Sequence, residues 1–128
     1  MKIAVAIEKP GKFSPVSEVF GRCRYFLIQD REKDTEEILT NPFSSEIGGA
    51  GIQAAKFLID NNVDAVITKN IGKNPFRFLV SANIKIYKYN GNNADDSLLL
   101  FCKNGLELLK RNNTDSPFTK KRNRFDWN

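Results

Sequence analysis

The segment from Asp64 to Tyr89 leaves a chain few ways to fold. It holds two short apolar runs, DAVITK (64–69) and IKIYKY (84–89), separated by a single helix-length stretch that opens at Asn74-Pro75. Pro75 suits the first position of a helix and Asn74 its cap, while Phe76, Leu79 and Val80 supply one buried face. A strand, a helix and a strand in that order cross over within a parallel sheet, and such crossovers are right-handed.

The rest of the chain extends this unit. KIAVAIE (2–8) alternates β-branched and small residues as a buried strand does, and RYFLIQD (24–30) and EEILT (36–40) form a hairpin around REKDTE. Ile52, Ala55, Leu58 and Ile59 share one face of a helix that stops at Asn61-Asn62. Leu98, Cys102, Leu106 and Leu109 mark a last helix from Asp95 or Asp96 to about Arg111, weakened by Gly105 and with Cys102 read as core filler. The expected fold is α/β, with a mixed five-stranded sheet in the order 3-2-1-4-5 and only strand 2 antiparallel. The domain is expected to span 1–111, followed by a basic, disordered tail over 112–128.

In such a sheet the loop 9–22, the glycine stretch 44–51 and NIGKN (70–74) all open onto one rim, where the strand order reverses. Gly49-Ala50-Gly51-Ile52-Gln53-Ala54 fits the dinucleotide pattern G-x-G-x-x-A. It follows the third strand after a long loop, however, and the next strand ends in Thr68-Lys69-Asn70 with no acid for a ribose, which argues against a nucleotide enzyme. Two readings remain, a flexible loop that gives close helix–sheet packing and free N–H groups at a helix start facing an anion, and the second is favoured.

The chain contains no histidine. That removes every mechanism with a His base and every zinc site drawing His from this chain. Two cysteines, Cys23 and Cys102, are too few for a disulfide framework and have no metal-type spacing. No apolar run is long enough to span a bilayer, and the N-terminus reads as a strand and not a leader, so a cytoplasmic protein with no membrane partner is expected. The net charge of +5 sits mostly in residues 110–128, where six basic side chains face two acidic ones. PFTKKRNRFDWN interleaves aromatic and basic residues there, a pattern able to dock on nucleic acid or on an acidic protein. A nuclease is not supported, because Glu8, Asp30 and Asp64 fall at positions that do not converge.

SPVSEVFGRCRYFLI, GGAGIQAA and NIGKNPF, in this order, resemble the dinitrogenase iron–molybdenum cofactor biosynthesis family of NifX and NifY type, also found at the end of NifB. Phe20, Gly21 and Arg22 match its F-G-R; Gly48, Gly49, Gly51 and Gln53 match its G-G-x-G-x-Q; Asn70, Gly72, Asn74 and Phe76 match its N-x-G-x-N-x-F. The resemblance implies a ribonuclease-H-like three-layer α/β/α fold and a non-enzymatic role. It implies binding or carriage of an iron–sulfur or iron–molybdenum–sulfur cluster or its precursor, with cluster donor or acceptor proteins as partners. Val19 stands where nitrogenase-linked members carry His, Arg24 where Pro is usual, and Lys73 and Pro75 where Pro and Ala are usual. The expected cofactor-binding set is Arg22, Cys23, Arg24, Gly48, Gly49, Gly51, Lys69, Asn70, Gly72, Lys73 and Asn74. Cys23 is the expected metal ligand, as a thiolate favoured by the guanidiniums on either side.

Overall fold

The computed structural model describes residues 1–114; the aromatic and basic run expected to dock on nucleic acid or protein lies outside the described residues. Six strands form one sheet: β1 (Lys2–Ile7), β2 (Tyr25–Asp30), β3 (Thr35–Thr40), β4 (Ala65–Thr68), β5 (Lys85–Lys88) and β6 (Glu107–Leu108). Their order is β3-β2-β1-β4-β5-β6. β1 pairs antiparallel with β2 and parallel with β4, β4 pairs parallel with β5, and β2 pairs antiparallel with β3. This is an open mixed α/β sheet in the expected order, with one strand more than the five expected.

β1 lies at the centre and serves both faces. Ile3, Val5 and Ile7 join a core with Leu27, Ile67, Tyr89, Ala94 and Leu98. Ala4 and Ala6 point the other way, among Phe26, Ala54, Ala55, Leu58, Phe76 and Leu79. Small side chains on that face let two helices close onto the sheet, α1 (Ala50–Asp60) and α2 (Lys73–Ser81), while α3 (Ala94–Cys102) covers the opposite face.

Three helix boundaries differ from the sequence expectation. α2 begins after Gly72, which places Pro75 third in the helix, still within the first turn, where a missing N–H costs no helical bond. α3 is capped by Asn93, whose side chain accepts from the Asp96 N–H, and not by Asp95 or Asp96. It also stops at Cys102 and not near Arg111. Asn104 turns left-handed at φ 58, and the N–H groups of Gly105 and Asn104 close on the carbonyls of Leu100 and Phe101. The chain freed by that stop becomes β6, which pairs antiparallel with Tyr87 and Lys88 of β5. Cys102 is correspondingly exposed, not core: Arg31 Nη2 donates to its Sγ at 2.7 Å and the guanidinium lies over the Phe101 ring. No described helix is long and apolar enough to cross a membrane.

Candidate functional site

The loop after β1 folds back along it before reaching the rim. The Ser17 N–H donates to the Ala6 carbonyl at 2.8 Å, and Ser14 Oγ accepts from the N–H groups of Glu8 and Lys9. At the rim the same loop meets the end of β4. Val19 pairs in parallel with Asn70, the Phe20 N–H donates to the Asn70 carbonyl at 2.8 Å, and Asn70 Nδ2 donates to the Glu18 carbonyl at 2.7 Å.

The next residue forces contact with the glycine stretch. Gly21 has φ 97, and a Cβ there would lie 2.7 Å from the Gly51 Cα. A Cβ on Gly51 would in turn lie 2.9 Å from the Pro75 ring. The F-G-R turn, the start of α1 and the start of α2 are therefore stacked one on another, close enough that only hydrogen fits between the first two. Arg22 reaches across to the loop before α1, where its Nη1 donates to the carbonyl of Glu46 at 2.6 Å and contacts that of Ser44 at 3.5 Å. Buried Asn41 ties the same parts together from below. Its Nδ2 donates to the Cys23 and Gly21 carbonyls at 2.9 and 3.2 Å, and its Oδ1 accepts from the Phe43 N–H at 3.0 Å.

Both helices that end in this stack start without a side-chain cap or an acidic residue in the first turn. Gly49 (φ 74) caps α1 and Gly72 caps α2. The N–H groups of Ala50, Gly51 and Ile52, and of Lys73 and Asn74, have no acceptor within their own helices. Gly48, Gly49 and Gly72 have nothing within 4 Å of a Cβ position, so the backbone there lies open to an incoming group. Two positive helix ends thus lie side by side on one edge, a geometry suited to an anion.

The cations are divided. Lys73 and Arg24 are exposed, Lys69 pairs with Glu18 at 3.3 Å, and Arg22 is engaged by backbone carbonyls. Cys23 does not present the expected thiolate. It is fully buried between its two exposed arginine neighbours, and burial pushes its thiol up to about 12 against a weaker opposing hydrogen bond from Asn41. Among the described residues no group of three or more His, Cys, Asp or Glu could hold a metal ion. The carboxylates that would matter to a nuclease are occupied locally: Glu8 accepts from Ser17, Asp30 from the Glu32 and Lys33 N–H groups, and Asp64 from the Lys2 N–H.

Two asparagines that build the rim carried no signal of it in the sequence. Asn41 adjoins Pro42 just past the EEILT run, and Asn113, which bonds Ile71 and Lys69, lies in the expected tail. Both act over long range, through carboxamide bonds that no local pattern encodes.

The family model for the dinitrogenase iron–molybdenum cofactor matches residues 1–104. An uncharacterized protein of Methanocaldococcus jannaschii is 31% identical over 113 residues, covering 86% of this chain and 92% of its own. Among solved structures, the apo form of the orange protein from Desulfovibrio gigas has a TM-score of 0.84 at 27% identity, covering 88% of this chain and 96% of that one. A conjectured NifB protein from Thermotoga has a TM-score of 0.79 at 27% identity, covering 88% and 97%. The match takes in the F-G-R turn, the glycine stretch and the β4–α2 loop together, and the chain belongs to the dinitrogenase iron–molybdenum cofactor family.

Proposed function

We propose that the protein is a non-enzymatic binding or carrier protein for an anionic metal–sulfur cluster or iron–molybdenum cofactor precursor, taken up at the rim as cargo. The observation that carries this is the pair of adjacent, uncapped helix starts above Gly48, Gly49 and Gly72, with Lys73 exposed next to Gly72 and Arg24 exposed just before β2. Backbone donors and cations hold a cluster that brings its own sulfide ligands. They need no histidine, and they do not need Cys23, whose thiol stays protonated. Such binding is open and electrostatic, which suits handing cargo from a donor protein to an acceptor protein. A ribonuclease-H-like scaffold belongs to this reading, supported by the order of the first five strands with only β2 reversed.

The test is anaerobic reconstitution with iron, sulfide and molybdate. Charge-transfer absorbance with stoichiometric metal, lost as salt is raised, is expected. A colourless, metal-free protein after that treatment overturns the reading.

A further inference from the structure

Beyond β6 the chain turns back toward the rim. The Leu109 N–H still donates to the Ile86 carbonyl of β5, but four residues later Asn113 reaches the loop between β4 and α2. Its Oδ1 accepts from the Ile71 N–H at 2.8 Å, and its Nδ2 donates to the Lys69 carbonyl at 2.9 Å. Its own N–H donates to the Ile71 carbonyl at 3.2 Å. One residue therefore supplies three hydrogen bonds to a stretch of three. Asn70, between the two bonded residues, is held on its other side by Phe20 and Glu18. Residues 69–71 behave as a short central strand, with alternate peptide groups bonded to loop 9–22 on one side and to Asn113 on the other.

Ile71 is fully buried, so its backbone groups depend on protein partners more than on solvent, and losing the Asn113 bonds leaves them poorly satisfied. The stretch leads directly into Gly72 and the open start of α2 and carries Lys69. We propose that Asn113 is a positioning residue for the anion site, fixing the aim of the α2 N-terminus and of Lys69 from a part of the sequence that shares none of the site's motifs. This role rests on the cluster-binding reading above, but its structural half is measured without any ligand.

The experiment uses the full chain with Asn113→Ala, and with Asn112→Ala as control, because among the described residues the Asn112 side chain donates only to the nearby Thr114 carbonyl. Amide exchange at Ile71 is followed by NMR, and affinity is measured with tetrathiomolybdate, a soluble molybdenum–sulfur dianion. Asn113→Ala is expected to speed Ile71 exchange and weaken the probe about tenfold, the scale of one hydrogen bond. Asn112→Ala is expected to leave both within about twofold of wild type, as a surface change does. If Asn113→Ala does not fold, Asn113→Asp takes its place, with Asn112→Asp as the control for charge. Asn113→Asp keeps an acceptor for the Ile71 N–H and loses the donor to Lys69, so Ile71 stays protected while affinity falls further than in Asn112→Asp. Unchanged Ile71 exchange in Asn113→Ala, or faster exchange with unchanged affinity, overturns the positioning role alone. Wild-type protein that does not bind the probe overturns the cluster reading and this role with it.

Discussion

Cys23 and Cys102 exchange the roles that their local sequence suggests. Arginines flank Cys23, yet both guanidiniums are exposed while the thiol is buried, so desolvation and not charge sets its state. Cys102 falls on an apolar stripe, yet the helix ends there and leaves it at the surface beside Arg31. A thiol reagent should therefore modify one cysteine per native chain, and Cys102→Ala should abolish that reaction; fast modification of Cys23 would contradict the burial. The unfolded thiol loses its proton from about 9.0, whereas the native one keeps it to about 12. Across that window the unfolded chain binds fewer protons, so stability falls as pH rises, by at most about 1.4 kcal/mol per unit. Denaturant titrations at pH 8 and pH 10 should show this loss in wild type and a smaller one in Cys23→Ala. The rim glycines divide similarly. Gly21→Ala meets both a positive φ and the Gly51 backbone and should cost about 2–4 kcal/mol. Gly72→Ala meets neither, but it replaces the N-cap of α2 with a poorer one and should cost about 1 kcal/mol, well below the Gly21→Ala loss. Any loss of cluster uptake in Gly72→Ala then reports obstruction of the site itself.

The three helices end in the same way. Asn62, Asn83 and Asn104 each take a left-handed φ, and the residue after each donates back to the helix, Val63 to Leu58, Ile84 to Leu79 and Gly105 to Leu100. For α1 the Asn61-Asn62 pair made the stop legible, because its apolar stripe ends there. For α3 it did not, since Leu106 and Leu109 prolong the same spacing past Asn104 and imitate a helix that the turn has already ended. Periodicity reports which residues are apolar but not whether the backbone between them stays helical. In Asn83→Gly the left-handed turn loses its steric penalty and stability should rise or hold, whereas Asn83→Ala should lose about 1 kcal/mol. Paired thermal melts of the two variants check the order.

On the scale of the whole molecule, crossover handedness and strand patterning were enough to place five strands and to bring three loops to one rim. The sixth strand and the two carboxamide ties were not legible, because they depend on contacts between residues far apart in sequence, Asn41 with Gly21 and Asn113 with Ile71. The stack of Gly21, Gly51 and Pro75 makes the rim one mechanical unit, so a change in any of its loops is felt by the others.

The position of Asn113 also bears on the order of events during synthesis. Chains fold from their N-terminal part as they emerge, and β1, β2 and β3 with the F-G-R turn are available early. The peptide at Ile71 must wait until a residue 42 positions later has left the ribosome. Until Asn113 emerges, the peptide at Ile71 stays open on that side, and on the proposed reading a nascent chain cannot hold its cargo securely before then.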